Sequence, residues 1–114
     1  MIFRIPYADK VNDYLVEVYL TTKNYQAALN SIDKIKHPST KILEAKQDIL
    51  FQLGTQAFTN MELDKAVDLF SRAISLGAYN LESRNDAYFW RGESYYRQGE
   101  YNKAISDYRT YLNN

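Results

Sequence analysis

The chain has 114 residues, with 14 Lys and Arg balanced by 14 Asp and Glu, 46% hydrophobic residues, 2 Pro and 4 Gly; that is enough apolar content for a core without disulfides or metal, and too much for a disordered segment. Zero net charge without a Lys or Arg cluster gives no electrostatic footprint for nucleic acid, and no apolar run of about 18 residues exists to insert into a membrane. With no Cys, disulfides, thiolate metal sites and thiol nucleophiles are excluded, and cysteine usage reports no redox compartment.

The opening MIFRIPYADK lacks the basic patch, long apolar run and cleavage site of a secretory signal peptide. Apolar residues then recur at helical spacing, and no stretch alternates as a strand does. Pro6 suits the first turn of a helix predicted over 7–22, whose apolar pairs are Tyr14 with Val18 and Leu15 with Tyr19. A second helix is predicted over 25–36. Ser39, after His37-Pro38, is placed as the N-cap of a third over 40–59, which carries Leu50, Leu53 and Ala57. A fourth over 62–76 carries Val67, Phe70, Ala73 and Ile74, and Gly77 ends it. A fifth over 82–98 carries Tyr88 and Tyr95 and ends at Gly99. The sixth, over 101–112, carries Ile105, Tyr108, Tyr111 and Leu112. Connections are expected to be short except around Ala78 to Leu81. Short connections impose antiparallel neighbours, so the six helices form three hairpins.

The hairpins repeat. Ala28, Ala66 and Ala104 recur at intervals of 38 residues, and their surroundings agree in kind. In register stand Tyr25, Leu63 and Tyr101; Leu29, Val67 and Ile105; Ile32, Phe70 and Tyr108; Leu15, Leu53 and Arg91; Val16, Gly54 and Gly92; and Tyr19, Ala57 and Tyr95. The alanine is expected where the paired helices press closest, near Val16, Gly54 or Gly92, with large residues filling the remainder. Tyr19, Tyr25, Tyr95, Tyr101 and Tyr108 read as packing residues on this register.

The pattern resembles the tetratricopeptide repeat: a large aromatic, Leu-Gly and Tyr in the first helix, then Ala, an aromatic and Ala in the second. The fullest copy is Tyr88-Phe-Trp-Arg-Gly92-Glu-Ser-Tyr95 followed by Gly99, Tyr101, Ala104, Ile105 and Tyr108; the middle copy keeps Leu53-Gly54, Ala66, Phe70 and Ala73, and the first has no glycine. The resemblance implies an all-α fold, a right-handed solenoid of three antiparallel helix pairs in one domain over 1–114, with repeats at about 7–38, 40–77 and 81–114. Two departures stand out. The period of 38 residues exceeds the family's roughly 34, which implies longer first helices or looser junctions, and Arg91 replaces the expected leucine, which implies a guanidinium at a surface.

By this resemblance the first helix of each hairpin lines a concave groove that holds a partner's peptide segment. The transferred lining is Lys10, Asp13, Glu17, Leu20 and Thr21, then Asp48, Phe51, Thr55, Phe58 and Thr59, then Asp86, Phe89, Glu93, Tyr96 and Arg97. Phe51, Phe58, Phe89 and Tyr96 are the candidate anchors, because aromatic side chains supply much of the binding energy where water is excluded. Phe51 and Phe89 also fit a packing role against neighbouring hairpins. Asp13, Glu17, Asp48, Asp86 and Glu93 would select a neutral to basic protein or peptide. The family's carboxylate-clamp positions fall on Asp13, Glu17, Gln52, Asp86 and Trp90; none is Lys, Arg or Asn, which disfavours the acidic tails of heat-shock chaperones.

No catalytic constellation accompanies the repeats. The single histidine, His37, sits in a His-Pro turn, Ser94 has no histidine in its hairpin, and no carboxylate set has metal-ligand spacing. Gly54, Gly77, Gly92 and Gly99 are isolated and form no phosphate loop. The expectation is a non-enzymatic, cofactor-free interaction module without nucleic-acid partners or membrane insertion; the alternative is a spacer or self-association segment of a longer solenoid. Ile2, Phe3 and Ile5 read as the end of something preceding, and the last helix lacks a polar capping helix, so an excerpt with self-association through its terminal helices is expected. The tyrosine-rich 38-residue copies look like large bacterial envelope proteins of this repeat family, which implies a periplasmic or cell-envelope parent.

Overall fold

The computed structural model describes residues 7–114; the expectations placed on Pro6 and on Ile2, Phe3 and Ile5 lie outside the described residues. Six α-helices follow one another: α1 (Ala8–Thr21), α2 (Tyr25–Ile32), α3 (Thr40–Thr59), α4 (Leu63–Ser75), α5 (Leu81–Arg97) and α6 (Tyr101–Leu112). Among the described residues there is no strand. Packing runs in chain order, α1 on α2, α2 on α3, α3 on α4, α4 on α5 and α5 on α6, and α3 also packs on α5. This is the packing of a helical solenoid, and the body it builds is elongated, 58 × 28 × 26 Å.

The ends of the helices follow local chemistry. Ser39 caps α3 by accepting from Ile42 N–H (3.2 Å), Asn24 caps α2 through Ala27 N–H, and Asn80 caps α5 through Ser83 N–H. α2 stops at Ile32, four residues before the expected end, and residues 33–39 form the longest connection between helices. Within that connection Pro38 disfavours helical geometry at His37, and the Asp9 carboxylate accepts from the Lys36 N–H (3.4 Å).

Each hairpin turns in the same way. Lys23, Met61 and Gly99 take positive φ of 57°, 61° and 78°, 38 residues apart. Asn24, Glu62 and Glu100 N–H groups reach back to the carbonyls of Tyr19, Ala57 and Tyr95 at 2.8–2.9 Å, while Lys23, Met61 and Gly99 N–H groups reach Leu20, Phe58 and Tyr96. This pair of bonds is the Schellman motif, which satisfies the last carbonyls of a helix. Only Gly99 announces it in the sequence, since Lys23 and Met61 adopt the left-handed conformation against a steric cost of about 1–2 kcal/mol.

Within the hairpins the small residues make close approach possible. Ala28, Ala66 and Ala104 are buried, at 0%, 0% and 1% exposure. The partner of Gly54 is the Phe70 ring rather than the alanine: a Cβ at Gly54 would stand 2.6 Å from it, and one at Gly92 2.9 Å from the Tyr108 ring. In the first hairpin the sizes are exchanged, with buried Val16 and Ile32 in the places of glycine and ring, so that total volume is roughly kept.

The junction between the second and third hairpins is held by Gln47, which is fully buried. Its amide donates to Ala73 C=O (2.7 Å) and Gly77 C=O (2.6 Å), and its carbonyl accepts from the N–H groups of Tyr79 (3.2 Å) and Asn80. The longer period is therefore taken up by an ordered connection. Asp9 and Asn85 stand in register with Gln47 and make related bonds, to Lys36 N–H and Asn114 Nδ2.

Two sequence expectations need correction. Tyr101 is not a packing residue: it is 60% exposed and meets the Tyr96 ring edgewise at 5.6 Å. Arg91 is not a surface guanidinium. It forms a bidentate pair with buried Asp107 at 2.8 and 2.7 Å, donates to Ser71, and stacks on the Tyr88 and Tyr95 rings at 5.5 and 5.8 Å. The hydrogen bond to Asp107 raises the guanidinium pKa further above its ordinary value, against the opposing effect of burial. A buried charge that loses its partner is costly, whereas an apolar pair of similar volume is tolerated. Arg91→Leu, which restores the motif leucine, is expected to destabilise the fold by about 3 kcal/mol, and Arg91→Leu with Asp107→Leu to recover most of that loss; urea unfolding of both variants measures it.

Candidate partner-binding groove

The residues assigned to the groove sit on α1, α3 and α5, and the three helices do not contribute alike. α3 and α5 pack side by side, and α1 has no comparable packing on α3. Asp48, Phe51 and Phe58 of α3 therefore share a surface with Asp86, Phe89, Glu93, Tyr96 and Arg97 of α5. Asp13 and Glu17 ride on a helix that stands off from them.

A chain of rings crosses this surface. Phe58 meets Trp90 edgewise at 5.2 Å, Trp90 meets Phe89 edgewise at 5.2 Å, and Phe89 continues to Tyr108 and Tyr111 of α6 at 6.0 and 5.5 Å. The Arg97 guanidinium lies over the Phe58 ring at 4.9 Å. Such tilted and edgewise contacts are the favoured aromatic geometries and each adds about 1 kcal/mol beyond burial. Phe51 contacts the core ring of Phe70 at 5.9 Å. Phe51, Phe58 and Phe89 are thus half-buried and joined to the core, while Tyr96 stands 59% exposed.

The acids differ just as much. Asp48 accepts from Ser83 Oγ (3.0 Å) and Gln52 Nε2 (3.5 Å), which ties α3 to α5. Glu93 accepts from the Tyr108 hydroxyl; burial, then this bond, push the phenol pKa well above its ordinary value. Among the described residues the ion pairs are Lys46 with Asp33 and Arg91 with Asp107, so none of the five groove acids has a cation of its own. The Asp86 pKa is raised, first by partial burial and then by the charge of Glu82 on the preceding turn. Trp90, which joins the rings of the two hairpins, reads in the sequence as a clamp position and as either a partner contact or a residue packed against the next turn. The 38-residue register that carries Asp9, Gln47 and Asn85 was present in the sequence, but no apolar pattern drew attention to it.

The tetratricopeptide repeat family model matches residues 85–113, essentially the third hairpin, and comparison with curated proteins gives no match. That match and the six packed helices fit a tetratricopeptide-type repeat protein, and a repeat of this type points to a protein–protein interaction module. No helix among the described residues is long and apolar enough to cross a membrane.

The state of Asp86 is open to direct measurement. As pH falls it gains its proton before an ordinary aspartate would. A carboxyl-carbon NMR titration is expected to place its midpoint above the usual 3.8, and Glu82→Gln to bring it part of the way down.

Proposed function

We propose that the α3–α5 surface captures an extended, neutral to basic segment of a protein partner, without catalysis. The observation that carries the reading is the combination of half-buried rings with acids that have no cation of their own among the described residues. The rings are pre-positioned by the core, so little conformational entropy is lost when a partner covers them. The carboxylates draw in Lys or Arg and repel acidic segments. Because α1 stands apart, Asp13 and Glu17 act at a distance, adding field rather than contacts.

Affinity for such a partner divides into two parts that respond differently. Tyr96→Ala and Phe58→Ala are expected to accelerate dissociation, each by an amount equivalent to about 2 kcal/mol; Tyr96→Ala leaves the fold's stability unchanged, whereas Phe58→Ala lowers it because Trp90 loses its neighbour. Asp48→Lys and Asp86→Lys are expected to slow association, less so at high salt. Rate constants for a partner retained by the immobilised chain, measured at two salt concentrations, test both, and unchanged rates in all four variants would move the interface elsewhere.

A second reading, head-to-tail self-association, is favoured by the faces of the end helices. Val11 of α1 is 50% exposed, yet its register equivalents Ile49 and Ala87 are 0% exposed, and Ile105 and Leu112 of α6 are likewise open. α6 of one copy set against α1 of the next would repeat the junctions made by α2 with α3 and by α4 with α5, an open-ended contact between unlike faces. Sedimentation of the chain is then expected to show mass rising with concentration. Val11→Glu and Ile105→Glu should each be monomeric alone and form dimers when mixed; a strict monomer at high concentration overturns this reading.

A further inference from the structure

The two junctions between hairpins are built on the same register, but they are filled differently. At the junction of the second and third hairpins, Arg91 of α5 and Gln98 at its C-cap reach across to Ser71 and Asp64 of α4. Tyr95 stands between them on the same face of α5, with the Arg91 guanidinium 5.8 Å and the Lys103 ammonium 5.5 Å from its ring centre. Thirty-eight residues earlier, the equivalents of Arg91, Tyr95 and Lys103 are Leu53, Ala57 and Lys65. The lysine is kept and the ring is reduced to a methyl group. The consequence is a cleft of about 300 Å³ between α2 and the second hairpin, with Leu29, Leu53, Ala57 and Leu69 in its floor and Lys65 and Asn60 on its rim. That volume is in the range of small-ligand sites, and the small apolar floor is ringed by polar and charged side chains, Asp33, Glu62, Asp68 and Arg72 among them.

We propose that this cleft receives an aromatic side chain, a tyrosine presented by a partner protein. The chain's own third hairpin shows the occupant that suits such a place: a phenol ring between two hairpins, with a lysine over its face. A guest tyrosine lays its ring on the leucines and Ala57 beneath Lys65, whose ammonium is attracted to the ring face. Its hydroxyl comes among the rim carboxamides of Gln56 and Asn60, which can both donate and accept. Leu53, Ala57 and Asn60 lie on the face of α3 opposite Asp48, Phe51, Thr55 and Phe58, because successive residues turn by about 100°. The cleft is therefore separate from the groove, and its occupation does not depend on the groove reading.

The test uses the whole chain and N-acetyl-tyrosine amide as probe, followed by amide proton–nitrogen NMR, with N-acetyl-leucine amide as the control. The expected result is a saturable shift of the Leu29, Ala57 and Leu69 amides with a dissociation constant of about 1 mM, and a much smaller response to the leucine probe. Ala57→Tyr, which supplies the ring internally, is expected to abolish the shifts, and Lys65→Met to weaken binding several-fold. Ala57→Leu fills the floor with less volume and serves the same purpose if the tyrosine variant does not fold. Shifts that survive filling of the cleft, that fall instead on Phe51 and Thr55, or that are equal for both probes would overturn the proposal.

Discussion

Gln47 lies wholly inside the protein, and all four of its hydrogen-bonding positions meet backbone between Ala73 and Asn80, the last turn of α4 and the connection that leads from the second hairpin to the third. A buried carboxamide is costly unless every donor and acceptor is matched. Here each is matched by a peptide group that would otherwise be left unpaired where the chain leaves α4. The connection consequently has one conformation, and with it the position of α5 against α3 is set. The ring chain from Phe58 through Trp90 to Phe89 and the bond between Ser83 and Asp48 both require that position.

The first hairpin shows what happens when the clasp is weaker. Asp9 in place of Gln47 accepts one backbone N–H at 3.4 Å, α2 is short, and α1 does not pack on α3 as α3 packs on α5. The cleft beside Ala57 opens at this looser junction. Volume in a repeat protein is fixed pairwise between neighbours, so a single reduction from ring to methyl is not absorbed by the rest of the array. The second and third hairpins, closed by Gln47 and by the Tyr95 and Arg91 cluster, form the firmer body on which the groove lies.

Arg91 illustrates a different balance. A motif leucine is replaced by a charge, and the charge is accommodated because Asp107, Ser71 and two tyrosine rings converge on it. The pair fixes the angle between α5 and α6 more narrowly than an apolar contact would, since two parallel N–H to carboxylate bonds tolerate little rotation. It adds little net stability over an apolar pair, and its effect is on geometry.

The residues themselves determined the helices, the three hairpins and the 38-residue register, because helical periodicity, caps and small residues at fixed intervals are local or strictly repeated signals. Ser39, Gly99 and the three alanines were legible for that reason. Tyr101 and Arg91 were not: each occupies a register position, but whether that position faces the neighbouring hairpin or water depends on what the next element supplies, and for Arg91 the answer lies sixteen residues away in Asp107. The groove was legible as a set of candidates on the first helices. Which acids are held by hydrogen bonds, which rings are joined through Trp90, and that α1 stands apart from α3 were decided only by tertiary packing. Those outcomes rest on contacts between helices whose distances no single helix encodes.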